Sequence, residues 1–115
     1  MSFLKKIKDG ASAAKSKAQQ TVDVTRLSAQ ISTHRRDIER AYAAIGEEMY
    51  QAYLGGGDSN QESAIKAQCE LIDDLYAKIK ALDLKIADIK GEKLCHCGTI
   101  VQKESKFCPS CGISL

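Results

Sequence analysis

The chain has 115 residues, a formal net charge of +2, 28% charged residues, 5% aromatics, one proline and no tryptophan. That length allows one domain with appendages, and no stretch reaches the roughly twenty apolar residues that a membrane span needs. The scarcity of helix breakers suits long helices.

Residues 1–22 form a basic arm. Its first twenty residues carry Lys5, Lys6, Lys8, Lys15 and Lys17 against Asp9 alone, a formal +4, while the rest of the chain sums to −2. Phe3, Leu4, Ile7, Ala11, Ala14 and Ala18 share one helical face. Three readings are open for this arm. It is a helix that continues into the body, a basic amphipathic helix that lies on an anionic membrane surface, or a cationic arm that touches nucleic-acid phosphates. The third has the least support, because the tail beyond offers little basic or aromatic surface to extend it.

Residues 23–91 read as a long antiparallel helical hairpin. Val24, Ile31, Ile38 and Ile45 recur every seven residues in the first half, with Leu27, His34 and Ala41 between them. Ile65, Ile72, Ile79 and Ile86 repeat in the second half, with Gln68, Leu75, Leu82 and Ile89 three residues after each. Apolar residues at this spacing form a coiled-coil seam. Glycines at 55, 56 and 57 break the first helix, and the loop at 55–59 ends at Ser59, which with Glu62 reads as a capping box. The predicted helices run over 23–54 and 60–91, each about 45 Å long at 1.5 Å per residue. Equal helices joined by a short glycine loop fold back on each other.

A partial second stripe, Tyr42, Gly46, Met49 and Tyr53, either widens the hairpin core or offers a surface to another helix. Cys69 reads as a small buried apolar residue and His34 as a seam histidine. Glu47–Glu48 and Asp73–Asp74 are adjacent in sequence, so each pair diverges by about 100° on a helix and does not converge on a substrate. No nucleophile–base set or phosphate loop is present, and the expectation is a protein that is not an enzyme.

Residues 92–115 hold four cysteines, Cys95, Cys97, Cys108 and Cys111. Gly98 and Gly112 follow the second cysteine of each pair, where a positive φ lets the chain turn back with N–H groups aimed at sulfur. Two such corners are the knuckles of a small β zinc ribbon, with Zn²⁺ in a structural role because four protein ligands leave no open position. The first pair is Cys-x-Cys, one residue short of the usual Cys-x-x-Cys, so Cys95 is the expected fourth ligand and His96 its alternative. Zinc is favoured over disulfides. Five cysteines leave one unpaired, and the start of the chain lacks the apolar run of a secretory signal, which points to a reducing cytoplasmic setting. Phe107, Ile100, Val101 and Leu115 are the apolar residues available to cover the cluster. About twenty residues cannot build a core unaided, so the metal supplies most of the folding free energy.

The segment Cys97-Gly98 … Lys106-Phe107-Cys108-Pro109-Ser110-Cys111-Gly112 resembles the short zinc-ribbon domain at the ends of many bacterial proteins. With its Met-Ser-Phe-Leu-Lys-Lys start and helical middle, the whole layout is similar to small bacterial zinc-ribbon proteins, a group with no enzyme activity to carry over. The resemblance implies Cys97, Cys108 and Cys111 as ligands, and Cys95 with a shortened knuckle. The resulting expectation is mainly α: a coiled-coil hairpin with an amphipathic arm and a terminal ribbon. Such a protein works as a zinc-binding adaptor that self-associates or binds a protein partner through its hairpin, peripheral to a membrane surface through its arm. A ribosome- or nucleic-acid-associated factor is the alternative.

Overall fold

The computed structural model describes residues 2–56 and 60–115. It is mainly helical. Helix α1 spans Ser2–Tyr53 and helix α2 spans Gln61–Ile89; strands β1, Glu92–Leu94, and β2, Ile100–Gln102, follow. The chain falls into two compact units, Met1–Ser28 with Asp83–Leu115, and Ala29–Leu82.

α1 passes residue 22 without a break, so the basic arm is helical and continuous with the first heptad segment. Nothing between residues 2 and 53 forces a stop, since the chain's single proline is Pro109. The helix ends where glycine allows it. Gly55 has φ 85°, its N–H donates to Ala52 C=O at 3.0 Å, and Gly56 N–H donates to Gln51 C=O at 3.0 Å. This pair of bonds is the Schellman closure, which satisfies carbonyls that the last turn would otherwise orphan. The Ser59–Glu62 capping box lies outside the described residues. α2 ends in the same manner at Gly91, φ 71°, whose N–H donates to Asp88 C=O at 3.1 Å.

In the unit Ala29–Leu82 the buried side chains come from both helices: Ile31, Ile38 and Ala41 from α1, and Ile72, Leu75, Ile79 and Leu82 from α2. All seven are heptad-seam positions. Each large aliphatic side chain removed from water in this way contributes about 1.5–3 kcal/mol. Polar contacts among the described residues also link the helices within the unit. The Tyr42 and Tyr76 hydroxyls are 3.3 Å apart, and the Gln61 side-chain amide donates to Glu48 C=O. His34 holds its seam position with Nδ1 buried and without a hydrogen-bond partner. Cys69 is exposed rather than buried. It flanks the seam seven residues from Tyr76, on a side of α2 that the buried stripe does not reach. Tyr42, Met49 and Tyr53 are exposed too, so the second stripe does not widen the core.

In the other unit Leu27 and Ala87 are buried. Ile86 and Ile89, the seam residues expected there, are only half-buried. Beyond α2, β1 and β2 pair antiparallel with Leu94 opposite Ile100, Lys93 opposite Val101 and Glu92 opposite Gln102. Several bonds among the described residues tie this hairpin to its surroundings. Lys103 Nζ lies 2.7 Å from Asp88 Oδ1, Lys103 N–H donates to Gly91 C=O at 3.0 Å, and Lys93 Nζ donates to Ser105 C=O at 3.0 Å. The Lys103 ammonium beside Asp88 also holds that carboxyl below the usual range.

Candidate metal centre

The ribbon brings two turns face to face. In the first, Cys95 N–H donates to Thr99 C=O at 2.9 Å, and Gly98 N–H donates back to Cys95 C=O at 2.9 Å. In the second, Cys108 N–H donates to Ile113 C=O at 3.0 Å, and Gly112 N–H donates to Cys108 C=O at 2.9 Å. The two turns share one hydrogen-bond plan, and the first closes it with one residue fewer. The shortened Cys-x-Cys is therefore accommodated inside its own turn. Gly98, φ 90°, and Gly112, φ 75°, supply the left-handed corner in each. A short bridge between Phe107 and Ser114 flanks the second turn as the β1–β2 pair flanks the first.

These turns gather Cys95, Cys97, Cys108 and Cys111 so that their four Sγ atoms all lie within 4.8 Å of one another. Cys95 and Cys111 sulfurs are 3.5 Å apart, and those of Cys97 and Cys108 are 3.6 Å apart. A tetrahedron with metal–sulfur bonds of about 2.3 Å has edges of about 3.8 Å. A disulfide would need about 2.05 Å. The sulfurs are thus disposed around a point rather than bonded in pairs, and the donor set fits a metal ion that takes four thiolates. His96 is exposed and lies outside this group.

No protein-family model matches the chain, and no curated protein or solved structure does. The chemistry of the site is therefore read from its own atoms.

Cys95 and Cys108 are buried and pack with Val101 into a small core of their own, while Cys97 and Cys111 are exposed. Of the apolar residues available to cover the cluster, only Val101 is buried; Phe107 and Ile100 are more than half exposed. So little apolar cover does not make a self-sufficient core.

The sulfurs do not ionise alike. The Thr99 hydroxyl, 3.1 Å from Cys97 Sγ, and the Thr99 N–H hold that thiol down to about 6. The Cys111 N–H, opposed by burial and joined by the Ser110 N–H, holds Cys108 below the usual thiol range. The Cys97 N–H favours the ionised form of Cys95, but burial and the three neighbouring sulfurs override it and push Cys95 up to about 12. Four thiolates at this separation repel one another, and a divalent cation at their centre cancels that repulsion. Thr99 is the contributor that the cysteine pattern did not flag. It supplies a hydroxyl and an N–H to Cys97 and a carbonyl to Cys95. A hydroxyl residue two places after the cysteine was the available signal.

Proposed function

We propose that this chain is a non-catalytic interaction protein whose C-terminal ribbon is folded by a structural Zn²⁺ on Cys95, Cys97, Cys108 and Cys111, and whose helices pair as an antiparallel coiled-coil hairpin that self-associates. The observation that carries the metal reading is the closed set of four sulfurs within 4.8 Å. Four protein ligands leave no position for water or substrate, so the ion acts as a staple and not as a Lewis acid. Zn²⁺ is the first-row ion best matched to a tetrahedral four-thiolate site in a reducing compartment.

The hairpin reading is supported by the seam residues buried on both helices and by the Tyr42–Tyr76 contact. Self-association is supported by what lies outside the seam. Tyr42, Met49, Tyr50 and Tyr53 are all more than half exposed on α1, and a methyl group built on Gly46 would meet nothing within 4 Å. Gly46 is not needed for any close approach within the chain, so it leaves a flat place beside Met49 and Tyr42 for a second helix. A four-helix bundle of two chains would bury this strip.

Sedimentation velocity of the zinc-loaded protein tests the reading. The expected result is a dimer or larger species that Tyr42→Ser with Met49→Ser converts to monomer. A monomer at every concentration, with the exposed strip intact, would contradict it.

A further inference from the structure

We infer that the first six turns of α1 are a membrane-surface helix that binds anionic phospholipid. Every side chain described between Ser2 and Val22 is exposed, so this length of helix has no buried face among the described residues. Phe3, Leu4 and Ile7 are 73%, 72% and 54% exposed. An isolated helix without a packed face is marginal in water, and Gly10 in its middle weakens it further. A surface that accepts its apolar face is what such a helix lacks.

The arrangement of residues selects the surface. At about 100° per residue, Phe3, Ile7, Ala11, Ala14, Ala18, Leu4 and Val22 fill one arc of about 100°. Lys8 and Lys15 border one edge of that arc within about 40°, and Lys6 and Lys17 border the other within about 60°. Lys5 stands opposite, with Ser12, Ser16 and the single acid, Asp9. Lysines on both margins let their stems lie along the apolar boundary while the ammonium groups reach lipid phosphates. Nucleic acid would engage the lysines but leave Phe3, Leu4 and Ile7 in water. A lipid interface uses both sets.

Three large apolar side chains give only weak binding to a neutral bilayer, as a single acyl chain does. Lysine near an anionic surface multiplies binding by roughly five-fold per residue, so three of them contribute about 100-fold. Binding therefore requires anionic lipid and weakens with salt. The inference does not depend on the metal or on self-association.

The test is co-sedimentation of the full-length, zinc-loaded protein with vesicles of phosphatidylcholine alone and of phosphatidylcholine mixed with phosphatidylglycerol. Two variants are compared: Phe3→Ser with Ile7→Ser, which keeps the charge, and Lys6→Gln with Lys8→Gln and Lys15→Gln, which keeps the apolar face. The substituted residues are exposed, so the variants retain the folded body, checked by circular dichroism. Binding to the mixed vesicles only, lost in the first variant and reduced roughly 100-fold in the second, supports the inference. Three results overturn it: no vesicle binding at low salt, equal binding to both vesicles, or single-stranded RNA binding that exceeds vesicle binding and is unchanged by Phe3→Ser with Ile7→Ser.

Discussion

Cys97 Sγ and Cys108 Sγ stand 3.6 Å apart, although the two residues are eleven positions apart in the chain. The β1–β2 pair and the two glycine corners bring them together, and Cys95 with Cys111 repeats the relationship at 3.5 Å. Substitution of any of the four should remove metal. Cys108→Ser is expected to abolish zinc retention while leaving the far-ultraviolet helical signal intact, because the ribbon contributes no helix. His96→Ala is expected to retain one zinc per chain. Zinc content by atomic absorption beside circular dichroism checks both, and loss of zinc from His96→Ala would move the fourth ligand away from Cys95.

Gly98 and Gly112 make a purely conformational prediction. Each has a positive φ, and nothing lies within 4 Å of a methyl group built on either. Gly98→Ala and Gly112→Ala therefore introduce backbone strain without a clash, worth about 1 kcal/mol or somewhat more. Zinc affinity measured by competition with a chelator should fall roughly five- to tenfold for each. An unchanged affinity would mean that the corners are not part of the metal-bound state.

Zinc binding should weaken as pH falls, and the slope carries information. Above about 6 Cys97 is already ionised, so zinc displaces a proton from Cys95 but none from Cys97. Below about 6 the proton on Cys97 must also leave, so the fall in affinity steepens. Chelator competition across a pH series reads this directly. A slope that flattens toward acid would contradict it.

His34 and Leu75 set the sign of two effects on the helical body. His34 Nδ1 is buried with no partner, and an unsatisfied buried polar group costs about 1–3 kcal/mol. His34→Leu should raise the thermal midpoint. Leu75→Ala at a buried position should lower stability by about 2–5 kcal/mol, whereas Leu71→Ala, at an exposed one, should change it by less than about 0.5 kcal/mol. Thermal melts followed by circular dichroism separate the three.

Much of this is legible in the sequence. Ile38, Ala41, Ile72, Leu75 and Ile79 are buried where the seven-residue repeat places them, because that repeat is itself the record of which helix face leaves water. The four cysteines were legible for a similar reason: ligand spacing and the following glycine are local. What stays hidden depends on contacts between residues distant in the chain. Cys69 was assigned to the interior from its residue type alone, yet its position beside the seam leaves it exposed. Ala87 enters the buried set while Ile89 only partly does, although the repeat marks Ile89 and not Ala87. The Lys103–Asp88 pair joins residues fifteen apart, and no local pattern announces it. The shared hydrogen-bond plan of the two turns, with Cys95 bonded to Thr99 and Cys108 to Ile113, shows how a shortened knuckle still closes. Spacing alone posed that question without answering it.

Titration of the metal-free, reduced protein with Co²⁺ probes the four-thiolate metal site itself. Expected are one Co²⁺ per chain, the intense visible absorption of a tetrahedral tetrathiolate, and its complete displacement by one equivalent of Zn²⁺. A weak octahedral spectrum, or no binding at all, would contradict it.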